Sequence, residues 1–334
     1  MPRNTQELFH LSSEKKRLSA WLIAAVCMAA VPVHAQTYPA KPVHLVVPYA
    51  AGGAVDTIAR VVGEPLAELI GQPVVIDNKP GAGGNIDAAF VAKAPPDGYT
   101  LLLGSVGLAT SGALFKDPGF DTLRDFEPVE RVGYAPLVFV VLSTFPAASM
   151  QDLIKLARAK PGTLTYASAG NGSSGHLAGE LLKSMAGIDV VHAPYKGGAP
   201  AMTDLLGGRI SFMPNNPVEV ITHIRAGRLR ALGVGSAKRL AILPDVPTVS
   251  EQGLPGYEAT VWWGIVAPAR TPPAIVKLLS DQTAQVLKHP AVTQKLTDAG
   301  VVVEPQGPAA FGAFLRAETD KWTRVIKASG IQPD

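Results

Sequence analysis

The chain has 334 residues, of which 47% are hydrophobic, and a formal net charge of +3 at pH 7. This length and apolar content predict a large core divided between two lobes. The small net charge, with no run of like charges after residue 35, excludes a broad basic surface of the kind that binds nucleic acid.

The chain begins with the features of a cleavable secretory signal. Three basic residues at 15–17 precede an apolar run over 18–31, and small residues lead up to Ala35. Because the run is shorter than the roughly 20 residues that span a membrane, the pattern predicts a signal peptide over residues 1–35, cleaved after Ala35. Cys27, the single cysteine, follows a valine where a lipoprotein signal carries a small residue. We therefore expect an exported, soluble product without disulfides or a lipid anchor.

Short apolar runs then alternate with longer segments of helical periodicity. Strands are predicted at 43–48, 73–77, 99–104, 137–142, 164–168, 190–193, 210–213, 229–235 and 261–267. Helices are predicted at 54–70, 84–93, 149–160, 174–186, 199–206, 218–226, 273–288 and 309–328. This alternation is typical of parallel sheets with helices on both faces, whose ligands bind beyond the carboxyl ends of the strands. It predicts a discontinuous first lobe, residues 36–136 plus 262–334, and an inserted second lobe, residues 137–261.

The first predicted strand turns into a helix through Gly52 and Gly53, in the segment VVPYAAGGAVDTIAR. Glycines expose the backbone there, and the first N–H groups of a helix favour an anion. The segment has neither the lysine and hydroxyl of a phosphate loop nor the spacing of a dinucleotide loop. A carboxylate is therefore the favoured anion, with a purely structural turn as the alternative. We interpret Asp56, in the first helical turn, as a cap or dipole partner in preference to a direct contact with an anion.

Two later strand-to-helix turns carry similar polar groups. The segment YASAGNGSSGHLAGELL supplies Ser168, Asn171, Gly172, Ser173 and Ser174, and the segment VVHAPYKGGAPAMTDLL supplies Tyr195, Lys196, Gly197 and Gly198. Helix capping explains each turn taken alone. Three such turns around one cleft would instead offer hydroxyls, amides and free N–H groups to a small solute rich in acceptors. A fourth glycine-rich segment, NKPGAGGNIDAAF, is interpreted as a structural turn.

The sequence carries no recognisable catalytic or metal motif. It has no G-x-S-x-G elbow and no H-E-x-x-H pair, and its histidines lack metal-ligand spacing. His176 follows Ser174 by two residues, so an exported serine hydrolase is a remote alternative, and hydrogen bonding at the helix start is the simpler role for this histidine. Of the adjacent Trp262 and Trp263, one is expected to face the core and the other the cleft; Trp262 is assigned to the cleft.

Four segments, in order, resemble the Bug-type receptors of tripartite tricarboxylate transporters. They are YPAKPVHLVVPYAAGGAVDTIAR, GQPVVIDNKPGAGGNIDAAFVAKAPPDGYTLLLGS, YASAGNGSSGHLAGELLKSMAGIDVVHAPYKGGAPAMTDLLGG and LPDVPTVSEQGLPGYEAT. The resemblance extends from about Tyr38 to Ile331. It implies a type II periplasmic binding protein with two α/β lobes, a hinge and an interlobe cleft. It also implies that the loop at 48–56 binds a carboxylate, partly through ordered water, and that the loops at 168–176 and 195–198 contribute from the second lobe.

Two departures from the family affect the expected pocket. The family commonly has Ser/Thr-Thr-His-Ala-x-Asn-Pro after the third strand, whereas this chain reads GSVGLATSGALF, which keeps the hydroxyls of Ser105, Thr110 and Ser111 but has no histidine or asparagine. The family's frequent Phe-Asp-Asn is replaced by the Pro-Asn-Asn at 214–216. Losing that acidic group favours a less polar distal pocket, and so an apolar or aromatic mono- or dicarboxylate in preference to citrate or an amino acid.

The resemblance also implies the biological setting. A periplasmic, monomeric protein without a cofactor is expected to pass a small organic carboxylate to integral membrane transporter subunits supplied in trans, with no nucleic-acid partner. A ligand-dependent sensor subunit for a signalling receptor is the alternative in the same fold. The predicted ligand-binding residues are Tyr49, Ala51, Gly52, Gly53, Asp56, Ser105, Thr110, Ser168, Asn171, Ser173, Ser174, His176, Tyr195, Lys196, Gly197, Asn216 and Trp262.

Overall fold

The computed structural model describes residues 38–329, and the predicted signal peptide lies outside them. Its strands are β1 (Val43–Val47), β2 (Val74–Asn78), β3 (Thr100–Gly104), β4 (Phe126–Pro136), β5 (Val138–Leu142), β6 (Thr165–Ser168), β7 (Val191–Pro194), β8 (Met213–Asn215), β9 (Leu229–Val234), β10 (Thr260–Pro268) and β11 (Val302–Gln306). Its α-helices are α1 (Ala54–Ile70), α2 (Asn85–Ala92), α3 (Val106–Leu114), α4 (Met150–Ala159), α5 (Ser174–Ala186), α6 (Gly198–Leu206), α7 (Pro217–Arg225), α8 (Pro273–Lys288), α9 (Pro290–Asp298) and α10 (Pro308–Ser329).

Six strands form the largest sheet, in the order β11-β4-β10-β3-β1-β2. β1 runs parallel to β2 and β3, and β10 runs antiparallel to β3 and β4. Leu45 and Leu101 are each 1% exposed, as expected for strands covered on both faces. The parallel strands end at one edge of the sheet, and α1 and α3 begin beyond that edge.

The second lobe is built from the strands between β4 and β10. β5, β8 and β9 form an antiparallel sheet, and β6 and β7 form a parallel pair. A parallel bridge from Tyr166 to Phe212 aligns the segment leading into β8 with β6. The helices α5, α6 and α7 follow β6, β7 and β8, so their N-termini are brought to one edge of this lobe.

The chain passes between the two sheets at two adjacent places, from β4 to β5 and into β10. The N–H of Leu137 donates to the carbonyl of Ala259 at 3.0 Å, and the N–H of Gly235 donates to the carbonyl of Leu137 at 2.8 Å. These hydrogen bonds hold the two crossings side by side, which is the geometry of a hinge. The lobe boundaries at 136/137 and 261/262 stay a prediction about which residues move together.

Four elements of the first lobe, α3, β4, α9 and β11, were not predicted from the sequence. β4 was missed because charged residues interrupt its apolar pattern. Inside the lobe these charges have partners: Glu130 accepts a hydrogen bond from Ser280 at 2.6 Å, and Arg131 donates to Glu304 at 2.7 Å. None of the helices in the described part of the chain is both long enough and apolar enough to cross a membrane.

Candidate functional site

The N-termini of five helices meet at one pocket. α1 begins after Gly53, α3 after Ser105, α5 after Ser173, α6 after Gly197 and α7 after Asn216. The first N–H groups of a helix lack the intrahelical partners of later ones and carry a partial positive charge, so the convergence of these N-termini favours an anion. The pocket is lined by Tyr49, Gly53, Ala54, Val55, Ser105, Ala169, Ser173, Ser174, Gly198, Asn216, Glu219, Val261 and Trp263.

The structure brings six of the predicted residues to this pocket, from both lobes. They are Tyr49, Gly53, Ser105, Ser173, Ser174 and Asn216. Burial, with a smaller effect of the nearby Asp87, raises the pKa of the Tyr49 hydroxyl to about 12. That hydroxyl therefore stays protonated at neutral pH and can donate a hydrogen bond.

The pocket already contains a carboxylate, that of Glu219 on α7. One oxygen, Oε1, accepts from the N–H of Ala54 at 2.5 Å, and the other, Oε2, accepts from Nδ2 of Asn215 at 2.8 Å. A Cβ on Gly198 would overlap Oε2, so a glycine at the start of α6 is needed to admit the group. Burial raises the pKa of Glu219, and the hydrogen bonds from Asn215 and Ala54 oppose that rise.

Glu219 corrects the inference that this region has lost its acidic group. The carboxylate is supplied on the first turn of α7 instead of at position 215. The sequence did carry a signal, because Glu219 follows Asn216 by three residues, which is the spacing of a capping box. A glutamate in that position is expected to cap its own helix, whereas here its side chain reaches across to Ala54 on the first lobe.

Hydrogen bonds across the cleft hold the two lobes closed. The N–H of Ala50 donates to the carbonyl of Lys196 at 3.1 Å, and Oγ1 of Thr110 donates to the carbonyl of Gly172 at 3.0 Å. The cavity has a volume of about 20 Å³, on a scale where one water needs roughly 10–15 Å³. In this closed arrangement the pocket has room for about one water beside Glu219.

Ser168 and His176 are engaged within the second lobe and do not line the pocket. Oγ of Ser168 lies 2.7 Å from Nε2 of His192, and Nδ1 of His176 accepts from the N–H of Gly172 at 3.1 Å. The rings of His176 and His192 stack with centroids 4.3 Å apart. His176 therefore stabilises the turn before α5, and this geometry gives no support to a nucleophilic pair with Ser174.

The turn at 195–197 contributes to the contact between the lobes mainly through its backbone. The hydroxyl of Tyr195 donates to Asp204 at 2.7 Å, within the second lobe. The Lys196 side chain is exposed, and its carbonyl makes the cross-cleft hydrogen bond described above. Gly197 has φ 133° and approaches Ala50 so closely that an added Cβ would lie 3.0 Å from the Ala50 nitrogen, which explains a glycine there.

Two further turns pack against each other across the cleft. A Cβ on Gly83, where φ is 66°, would overlap the carbonyl oxygen of Asn171. The glycine-rich segment interpreted as a structural turn thus forms part of the lobe contact. Asn171 takes part in that contact through its backbone and is not among the residues that line the pocket.

The first turn of α1 is stabilised by Asp56 as the sequence predicted. Its carboxylate accepts from the N–H of Gly52 at 2.9 Å and from Arg60 at 2.9 and 3.0 Å. Burial alone would raise the pKa of Asp56. The hydrogen bonds from Arg60 and Gly52 outweigh this effect and hold the pKa below its usual value. Ala51 and Gly52 are exposed beside this turn.

The structure corrects the assignment of the tryptophan pair. Trp263 lines the pocket, whereas Trp262 packs edge-on against Phe311 and Phe314, with ring centroids 5.9 and 5.6 Å apart. Nε1 of Trp263 has no hydrogen-bond partner among residues 38–329, although the residue is fully buried. Nε1 of Trp262 is likewise buried without a partner in these residues, so the lining of the pocket, and not the free donor, distinguishes Trp263. No group of three or more His, Cys, Asp or Glu side chains in the same residues is placed to hold a metal ion.

Comparisons with known proteins identify relatives of the whole described chain. A family profile described as "Tripartite tricarboxylate transporter family receptor" matches residues 58–331. The structure of the periplasmic binding protein BugD superposes with a TM-score of 0.86 at 35% identity, covering 89% of this chain and all of BugD. Rpa4515 of R. palustris, solved with adipate, gives 0.86 at 38% identity over 89% of this chain and all of its own. MatC of Rhodopseudomonas palustris, solved with malate, gives 0.83 at 32% identity over 86% of this chain and all of its own.

These matches confirm the resemblance and the predicted fold class. The fold is that of a type II periplasmic binding protein, with two α/β lobes, a hinge and an interlobe cleft. The pocket where the five helix N-termini meet lies in that cleft, since its lining residues come from both lobes.

Proposed function

The chain belongs to the receptor family of tripartite tricarboxylate transporters, and we propose that it captures a small organic carboxylate in its interlobe cleft and delivers it to a transporter of that kind. The observation that carries the proposal is the meeting of five helix N-termini at a pocket that already accommodates one carboxylate, that of Glu219. A site that satisfies the chain's own carboxylate is chemically suited to that of a ligand.

The donors in this pocket can account for a micromolar dissociation constant. A dissociation constant of 1 μM corresponds to about 8 kcal/mol. Hydrogen bonds to a charged group contribute roughly 1.5–3 kcal/mol each, and the hydroxyls of Ser105, Ser173 and Ser174 add to the backbone donors. Burial of the ligand offsets part of the cost of ordering it. Several such contacts are enough, and no cofactor is needed.

Closure of the lobes is the signal that we propose the transporter reads. A ligand that contacts both lobes favours the closed state in proportion to its differential affinity. In this proposal the moving bodies are residues 36–136 plus 262–334 and residues 137–261. The protein is exported by its signal peptide, works in the periplasm as a monomer and meets the membrane subunits in trans.

Dicarboxylates of four to six carbons are the first ligands to test, because the solved relatives carry malate and adipate. The preference for an apolar or aromatic acid over citrate or an amino acid stays a prediction. Its original premise, a missing acidic group, no longer holds, but the aromatic face of Trp263 and the side chains of Val55 and Val261 supply apolar lining.

The test is calorimetry on the exported form, residues 36–334, after unfolding and refolding to remove any co-purified ligand. The panel is adipate, malate, benzoate, citrate and aspartate. We expect micromolar binding of at least one dicarboxylate, together with a smaller radius of gyration in X-ray scattering. Failure of every acid to bind at millimolar concentration would refute the function, and exclusive binding of citrate or aspartate would refute the ligand preference.

A further inference from the structure

The carboxylate of Glu219 occupies the position that an anionic ligand would be expected to take. Its Oε1 receives the N–H of Ala54, the first residue of α1, and its Oε2 lies against Gly198, the first residue of α6. We infer that Glu219 is an internal carboxylate that competes with the ligand for the N–H groups at the start of α1, so that a bound acid must displace it. This inference rests on the proposed function, because it concerns the same pocket.

The packing around Glu219 supports a site shaped for a carboxylate group. Neither Gly53 nor Gly198 has a side chain: a Cβ on Gly53 would lie 3.5 Å from Oε1, and a Cβ on Gly198 would overlap Oε2. Asn215 donates to the same group from the second lobe. The carboxylate is thus enclosed by backbone and by one amide, and it joins the lobes without a ligand.

The closed pocket is too small to hold a ligand while the Glu219 side chain stays in place. The cavity of about 20 Å³ has room for about one water, which is far too small for a dicarboxylate. An acid that reaches the start of α1 therefore needs the volume that Glu219 occupies. Glu219 as a whole is partly buried, and in this inference its carboxylate leaves by rotation of the side chain about its own bonds.

The carboxylate of Glu219 and that of the ligand repel each other when both are ionised. Two like charges a few ångströms apart in a poorly solvated site disfavour joint ionisation. The charged groups on the surrounding helices do not relieve this repulsion: Asp56 and Arg60 on α1 neutralise each other, and Asp204 on α6 pairs with Arg209. His176 on α5 is engaged with Gly172, while His223 lies in the last turn of Glu219's own helix.

Protonation of Glu219 removes this competition. A neutral carboxyl group holds the N–H of Ala54 less strongly and repels an incoming anion less. Burial, which raises the pKa of Glu219, favours that protonation. The affinity for an anionic ligand is therefore expected to rise as the pH falls through the pKa of Glu219, until the ligand itself becomes protonated.

The first test uses acetate as a minimal carboxylate and does not depend on the natural ligand. The Ala54 amide is followed by NMR in the wild type, in Glu219→Ala, and in Glu68→Ala, which removes an exposed carboxylate from α1. We expect acetate to shift the Ala54 amide saturably at a much lower concentration in Glu219→Ala than in the other two proteins, because the truncation removes the competing carboxylate. The same midpoint in all three proteins, or no response in any of them, would overturn the inference.

The second test is calorimetry with adipate at pH 6 and pH 8 on the wild type and Glu219→Gln. Loss of one charge-assisted competitor is expected to tighten adipate binding about tenfold at pH 8, and to remove most of the difference between the two pH values. Weaker adipate binding by Glu219→Gln would show that Glu219 assists the ligand, and would refute the inference. If neither protein binds adipate, the proposed ligand class fails, and the acetate experiment still decides the role of Glu219.

Discussion

Oγ1 of Thr110 donates a hydrogen bond of 3.0 Å to the carbonyl oxygen of Gly172, and this bond joins α3 of the first lobe to the turn before α5 in the second. Thr110 is fully buried, and the same hydroxyl also lies 3.2 Å from the carbonyl of Gly107. Gly172 has φ 79°, and a Cβ there would lie 3.0 Å from Oγ1. This contact depends on the closed arrangement of the lobes, so Thr110 reports on closure more than on ligand chemistry.

Thr110→Val is expected to weaken ligand binding about fivefold, because the closed state loses a hydrogen bond of roughly 1 kcal/mol. The variant keeps the side-chain shape, so the open state should be little affected. Calorimetry measures the affinity, and X-ray scattering measures the closed fraction. Thr203→Val is the control, because that exposed threonine bonds only to Ala199 in its own helix. Equal effects of the two substitutions would contradict a role for Thr110 in closure.

Gly53→Asp is expected to abolish carboxylate binding while leaving the fold intact. Gly53 has φ −82° and ψ 176° at the N-cap of α1, a conformation and position that aspartate favours. The new carboxylate would satisfy the helix N-terminus itself and would lie close to Glu219, which repels it. Gly53→Ala adds only a Cβ with ordinary contacts, and should bind within a few-fold of the wild type. Calorimetry and thermal unfolding test the pair, and unchanged affinity in Gly53→Asp would make the turn purely structural.

Substitutions of the two adjacent tryptophans are expected to affect different properties, ligand binding for Trp263 and stability for Trp262. Trp263→Phe removes an indole ring that lines the pocket, so it should lower the affinity and abolish any change in tryptophan fluorescence on ligand addition. Trp262→Phe should retain the fluorescence change and instead lower the melting temperature, because Trp262 packs against Phe311 and Phe314. A fluorescence response that depends on Trp262 would refute this assignment.

Most of the fold was predictable from the sequence because its elements alternate in regular periods. β1, α1 and the later strand-to-helix units have short strands followed by turns and helices with one buried face, and their boundaries were predicted within a few residues. α3 was not predictable in this way, since it is buried almost all round and carries glycine, serine and threonine, so it has no amphipathic stripe. β4 was missed because Glu130 and Arg131 look like surface residues until their distant partners are known.

The site was predictable to the extent that it follows from local turns. Gly53, Ser173 and Asn216 lie at helix starts that can be recognised one at a time, whereas Glu219 reaches a helix 165 positions away in the chain. Strand alternation showed that Trp262 and Trp263 face opposite sides, but it could not show which side is the cleft. The choice depends on pairing with β4, where the register shifts beside Trp263.

A last prediction concerns Asp87, which is fully buried in the first turn of α2 and whose two carboxylate oxygens have no hydrogen-bond partner in the described part of the chain. Burial raises its pKa from 3.8 to about 7, against the opposing charge of Lys79. Because the folded state binds this proton more tightly than the unfolded state does, the stabilisation is complete below about pH 4 and is lost as the pH rises through about 7. Asp87→Asn should therefore flatten the fall in melting temperature between pH 5 and pH 8, measured by calorimetry, since each pH unit of this loss corresponds to about 1.4 kcal/mol. Asp320→Asn, an exposed change on α10, should leave that fall unchanged, and the same fall in both variants would show that Asp87 is not its source.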